Sequence, residues 1–157
     1  MSSIRFACRQ DVKTILSFIK ALAEFEHMEN DVVATEELLV EWIFDKKKAE
    51  VIFVVNDEGK EVGMALFFHN FSTFLGRAGI YLEDLFVLPE YRHQGFGKML
   101  LHALAQICVE RGCGRLEWSC LKWNTNALDF YAAWGANTLD DWVTLRVTGD
   151  TLKRLGQ

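Results

Sequence analysis

The sequence predicts a mixed α/β domain, with a mostly antiparallel central sheet and helices on both faces. Three stretches carry this prediction. Residues 81–111 read as strand, glycine-rich turn and helix. Residues 50–56 and 62–70 are two β-rich runs joined by a short polar turn. Residues 11–26 repeat apolar side chains at helical spacing. At 157 residues, half of them hydrophobic, with a single proline and no repeat or low-complexity tract, the chain suits one domain over 1–157 with one core.

Taken in order, residues 4–8 form a short first strand. Asp11 can cap a helix running to about Glu26, with Val12, Ile15, Leu16, Ile19, Leu22 and Ala23 as its apolar stripe. Thr35, followed by Glu36 and Glu37, opens a second helix that ends near Phe44. The turn Asp57-Glu58-Gly59-Lys60 joins the two β-rich runs as a hairpin. Residues 71–77 read as loop and 81–88 as a buried strand, which Pro89 stops because it offers no backbone N–H. The helix after the glycine turn spans 99–111, and Gly112 and Gly114 end it. Residues 115–120 alternate as another strand. Asn124 or Thr125 caps a short helix to Trp134, closed by Gly135. Residues 142–147 are the last strand, and 148–155 a final helical turn.

The turn Arg92-His93-Gln94-Gly95-Phe96-Gly97-Lys98 is a device for holding phosphate. Two glycines leave the backbone unobstructed, and the first N–H groups of the following helix point outward with partial positive charge. A dinucleotide fingerprint is excluded because Leu100 stands where its third glycine belongs. A P-loop is excluded because Met99 follows Lys98 and no glycine lies five residues before Gly97. What is left is Arg-x-x-Gly-x-Gly between a strand and a helix.

That loop resembles the acetyl-CoA loop of the GNAT superfamily of N-acetyltransferases. Tyr81-Leu82-Glu83-Asp84, Phe86-Val87, Asn124, Phe130-Tyr131 and Gly135-Ala136 follow in that family's order. With Leu22-Ala23, Phe25-Glu26 and Met28-Glu29, the chain is most similar to the diamine (spermidine/spermine) and thialysine acetyltransferase branch. The resemblance runs from about residue 4 to the C-terminus and is strongest from Tyr81 to Ala136. It implies a sheet whose fourth and fifth strands splay to admit pantetheine, acetyl-CoA as cosubstrate, and a homodimer. It also implies that Leu85, Phe86 and Val87 pair with pantetheine, that His93, Gln94, Gly95, Phe96, Gly97 and Lys98 take the diphosphate beside Arg92, and that Asn124, Ala127 and Tyr131 line the cofactor's arm. Two departures leave the amine open. The turn between the second and third strands is short where polyamine members carry an insertion, and Glu117-Trp118-Ser119 differs in type from the family's substrate-contacting stretch.

Transfer of acetyl from a thioester to an amine sets three tasks. The amine must lose a proton, the carbonyl oxygen must be stabilised, and the thiolate must gain a proton. An alkyl amine titrates near ~10.4, so a base is needed at neutral pH. Glu83, inside an apolar strand where a carboxylate needs a reason to stand, is the candidate base, acting through a water. The other reading is a solvated or structurally paired glutamate. Asp84 points to the opposite face unless the strand bulges; a bulge would keep both acids in play. Tyr131 is the candidate acid, set against a core tyrosine satisfied by backbone. A main-chain N–H near Phe86 or Val87 would polarise the carbonyl. Phe25, Glu26, Glu83, Asp84 and, with shifted spacing, Asp140 or Asp141 are the substrate-binding candidates. One acid holds a distal ammonium while the reacting amine sheds its proton, which suits a small substrate with two amines.

Composition bounds the alternatives. Net charge is −5, and Lys46-Lys47-Lys48 is the only basic run, so no nucleic-acid partner is expected. No signal-like or membrane-length apolar run is seen, and the four cysteines form no C-x-x-C pair, so reduced thiols in the cytoplasm and no membrane partner are expected. The four histidines lack metal-binding spacing, so no metal is expected. The competing readings are an acetyltransferase of protein amines and a non-catalytic acyl-CoA-binding regulatory module.

Overall fold

A computed structural model describes residues 1–157. The chain forms two compact units, Met1–Ser119 and Cys120–Gln157. The first holds a five-stranded sheet in the order β1-β2-β3-β4-β5, with β1 Ser3–Phe6, β2 Glu50–Val55, β3 Glu61–Ser72, β4 Arg77–Val87 and β5 Leu116–Trp118. The first four strands pair antiparallel; β5 runs parallel to β4 and pairs only with Ile80, Tyr81 and Leu82.

Strand alternation sends the two sets of side chains to opposite faces. Val51, Phe53, Met64 and Phe86 pack with Ile15 and Phe18 of α1 (Val12–Phe25) and with Ile43. Ile15 is 0% exposed and Phe18 3%, and full burial of such side chains stabilises by about 1.5–3 kcal/mol each. On the other face Val54 and Gly63 meet Leu100 of α3 (Phe96–Glu110). A side chain at Gly63 would press on Val54, Leu100 and the Phe86 carbonyl, so the close approach of α3 to the sheet depends on that glycine.

The hairpin turn is held by Asn56, whose Oδ1 accepts from the Glu58 and Lys60 N–H groups at 3.0 Å, with Gly59 at φ 80°. Thr35 caps α2 (Glu36–Leu39) by accepting from Leu38 N, and the chain then winds as a π-helix over Val40–Asp45. Asp11 stands at the start of α1 but does not cap it. Its carboxylate accepts two hydrogen bonds from Arg5 at 2.9 Å and one from Cys8 N at 2.7 Å. A guanidinium fork outcompetes neutral helix donors, and it holds the Asp11 carboxyl well below the usual carboxylate range.

Two further expectations need correction. The helix after the glycine turn starts at Phe96, not residue 99, because Gly95, at φ 87°, is already the N-cap; Gly97 and Lys98 lie in the first helical turn. Residues 142–147 form no strand. In the second unit, which holds α4 (Thr125–Ala133) and α5 (Gly149–Leu155), none of residues 143–147 makes a backbone hydrogen bond, and alternation without a partner does not make a sheet. Trp142, Val143 and Leu145 are 79%, 80% and 88% exposed. No helix is long and apolar enough to cross a membrane.

Candidate active site

The site begins with a break in the β3–β4 ladder. Leu66 pairs with Asp84 and Phe67 with Leu82, so Glu83 has no partner of its own. This is the bulge that keeps both acids in play: two residues of β4 oppose one of β3. Glu83 is exposed and Asp84 half-buried. Burial, followed by the charges of Glu83 and Glu26, pushes the Asp84 carboxyl up to about 6. Glu26 follows the last turn of α1, and burial raises its carboxyl too. An acid at a helix C-terminus opposes the helix dipole. Asp84, raised by burial and by two neighbouring acids, one of them at that unfavourable end, makes a place that a cation would relieve.

Beyond the bulge the strand's polarity is set by its hydrogen bonds. Leu88 N donates to Val62 O, so by alternation Phe86 and Asp84 also turn toward β3. The N–H groups of Leu85 and Val87 therefore face the other edge, along a stretch that β5 does not pair with. Of the two main-chain donors proposed for the acyl carbonyl, Phe86 lies inside the ladder and Val87 on the open edge.

The glycine loop follows. His93 at φ 63° and Gly95 at φ 87° both take the left-handed conformation. The first helical bond runs from Met99 N to Gly95 O, and the backbone N–H groups of residues 93 to 98 donate to no protein acceptor. Gly97 carries more information than Gly95. Its backbone is helical, and a Cβ there would meet only Val87 at 4.0 Å. Nothing in the protein's own packing demands glycine at that place, although glycine weakens a helix by about 1 kcal/mol relative to alanine. The missing side chain leaves the backbone there uncovered.

Arg92 turns toward the sheet and the end of α1. Its Nε donates to Val87 O at 3.1 Å, and its guanidinium stacks over Phe25 at 4.6 Å and Phe86 at 5.1 Å. Phe25 and Phe86 themselves meet edge to face at 6.0 Å. One arginine thus fastens the start of the loop to the end of α1 and to β4, the two elements that present Glu26 and Asp84. Sequence reading missed this link: Arg92, Phe25 and Phe86 were all singled out, but nothing in their spacing says that they stack.

In the second unit Asn124 caps α4, its Oδ1 accepting from Ala127 N at 3.3 Å, so these two residues engage each other. Tyr131 stacks on Phe130 with ring centroids 5.3 Å apart. Burial, then the charge of Cys120, pushes its phenol up to about 12. Asp140 and Asp141 are exposed on a turn. No group of three or more His, Cys, Asp or Glu residues is arranged to hold a metal ion.

Residues 16–136 match the family described as Acetyltransferase (GNAT) family. The chain is 31% identical to L-ornithine N5-acetyltransferase of Arabidopsis thaliana, over 98% of this chain and 87% of that one. It is 34% identical to thialysine N-epsilon-acetyltransferase of Bos taurus, over 97% and 95%. Among solved structures it is similar to an integron cassette protein from the mobile metagenome of V. cholerae, with a TM-score of 0.82 and 26% identity, covering 99% and 98% of the two chains. It shares its fold with an aminoglycoside acetyltransferase from an uncultured soil metagenomic sample, with a TM-score of 0.79 and 21% identity, covering 95% and 97%. The bulged acidic strand and donor-rich helix start therefore sit in a chain that aligns with its relatives along nearly its whole length: it belongs to the acetyltransferase (GNAT) family, in the branch of the thialysine and ornithine acetyltransferases, and is an N-acetyltransferase.

Proposed function

We propose that this enzyme transfers acetyl from acetyl-CoA to a primary amine of a small cationic substrate carrying a second positive charge, of the thialysine, ornithine or polyamine kind. The amine attacks the thioester directly while both substrates are bound. The observation that carries this reading is the acid group at the bulge, Glu26, Glu83 and Asp84, with Asp84 pushed up to about 6. One acid grips the distal ammonium. The other two handle the reacting amine: Glu83, solvent-exposed, takes the proton through a water, and Asp84 retains it better than an ordinary carboxylate would. The Val87 N–H polarises the carbonyl, and Tyr131, held protonated at neutral pH, gives its proton to the departing thiolate.

The unpaired N–H groups around Gly95 and Gly97, with Lys98 alongside, support a diphosphate there. A single catalytic domain is part of the same proposal, supported by a family match that crosses from the first compact unit into the second, as far as residue 136. So are cytoplasmic work and a homodimer, the latter supported by the apolar surface exposed at Trp142, Val143 and Leu145.

The test is thiol release from acetyl-CoA over an amine panel: thialysine, ornithine, spermidine, lysine, a monoamine and a lysine-bearing peptide. The two-charge small amines should be turned over at the lowest concentrations, with the monoamine far behind. Preference for the peptide would replace the reading with protein acetylation. CoA binding without turnover of any amine would replace it with a regulatory module.

A further inference from the structure

Away from this site, the C-terminus of α3 holds a second piece of chemistry. The helix ends in a Schellman motif: Cys113 N donates to Cys108 O at 2.9 Å, Gly112 N to Val109 O at 3.1 Å, and Gly112 takes φ 72°. This motif brings the side chain two residues past the helix end against the one in its last turn. Here both positions are cysteine. The Cys108 thiol donates to Arg115 O at 3.4 Å.

Cys113 lies against a histidine that is itself held by an arginine. Its sulfur is 3.8 Å from His69 Nδ1, and His69 Nε2 is 2.9 Å from Arg111 Nη1. Arginine can only donate, so Nε2 accepts and Nδ1 carries the hydrogen, which it also offers to Gly79 O at 3.0 Å. The Arg111 guanidinium, anchored by two hydrogen bonds to Glu50 at 2.6 and 2.8 Å, adds positive charge beside that sulfur. Cys113 is half-buried and Cys108 buried, so an external disulfide meets Cys113 first.

We propose that Cys108 and Cys113 are a reversible dithiol–disulfide site whose partner is a small disulfide such as glutathione disulfide. The Cys113 thiolate attacks one sulfur of glutathione disulfide, breaking its S–S bond and releasing one glutathione thiolate. Cys108 then attacks the Cys113 sulfur of the mixed disulfide and releases the second glutathione. Two electrons pass from the protein dithiol to glutathione disulfide, and the two protons shed by the protein thiols are taken up by the two glutathione thiolates. The cap bond from Cys113 N to Cys108 O keeps the two residues side by side for this second step.

The test uses the native full-length chain. It is incubated with glutathione disulfide, acid-quenched, labelled with N-ethylmaleimide and digested with trypsin, which cuts after Lys98, Arg111 and Arg115. The expected result is loss of two of the four alkylatable thiols, and a linked pair of peptides, 99–111 and 112–115, that separates with dithiothreitol. A Cys113→Ser variant should leave Cys108 fully alkylatable after the same treatment. Three results would overturn the proposal: all four thiols still reactive in the wild-type chain, a stable glutathione adduct on Cys113 with Cys108 still reactive, or linkage to Cys8 or Cys120 instead.

Discussion

At the scale of single residues, two titrating groups carry the proposed chemistry. Asp84 is raised from its ordinary 3.8 to about 6. Between those values the folded state binds more protons than the unfolded chain, so stability falls as pH rises through that window. A shift of that size corresponds to a penalty on the order of 3 kcal/mol at pH 7. Asp84→Asn should therefore raise Tm at pH 7 and lose most of that advantage near pH 4, a comparison that thermal melts at the two pH values provide. The same group must be ionised to take a proton, so kcat/KM should rise with pH through about 6 in the wild type, and that limb should vanish in Asp84→Asn. Tyr131 is raised by burial too: a phenol at about 12 remains a proton donor across the working range. Tyr131→Phe should lower kcat by about 100-fold or more, as expected for loss of a general acid, with acetyl-CoA affinity nearly unchanged in a binding titration. Both residues are legible in the sequence as candidates. The repulsion that tunes Asp84 is not, because Glu26 lies far away along the chain and only folding brings its charge to bear.

At the scale of elements, the loop and first turn of α3 place two demands on one stretch of chain. Gly95 is required by its own backbone, at φ 87°. Gly97 is helical and uncrowded, and the proposed diphosphate would lie against it. Gly97→Ala should then act in opposite directions on two measurements. It should stabilise the apo fold by up to about 1 kcal/mol, read by denaturant unfolding, while weakening CoA binding measured by calorimetry. Stabilisation with unchanged affinity would move the diphosphate elsewhere. The helix start also shows where periodicity falls short. Phe96 belongs to the helix and is buried, yet glycines on either side make residues 95–98 look like turn. Arg92 shows the same limit: its charge suggests a ligand, but its flat guanidinium stacks on Phe25 and Phe86 and stitches the loop to α1.

At the scale of the whole molecule, stability and ligand binding are linked. CoA at a hundred times its Kd should add about 2.7 kcal/mol to the unfolding free energy. For a chain of this length that is a rise in Tm on the order of 5–10 °C, which a melting scan with and without CoA measures; Gly97→Ala should shrink it. The parts that local chemistry alone determines were readable from the sequence: the hairpin turn under Asn56, the caps at Thr35 and Asn124, the apolar stripe of α1, and the glycine loop. Each depends on neighbours within a few residues, so spacing and residue type suffice. The tertiary structure alone decided which acids face one another, that Glu83 stands in a bulge, that Val87 rather than Phe86 offers its N–H at the open edge, and that residues 142–147 form no strand. Those outcomes depend on hydrogen bonds and charges between segments far apart in the chain. A strand's pattern says which faces it could bury, and only a partner across the ladder says whether it does.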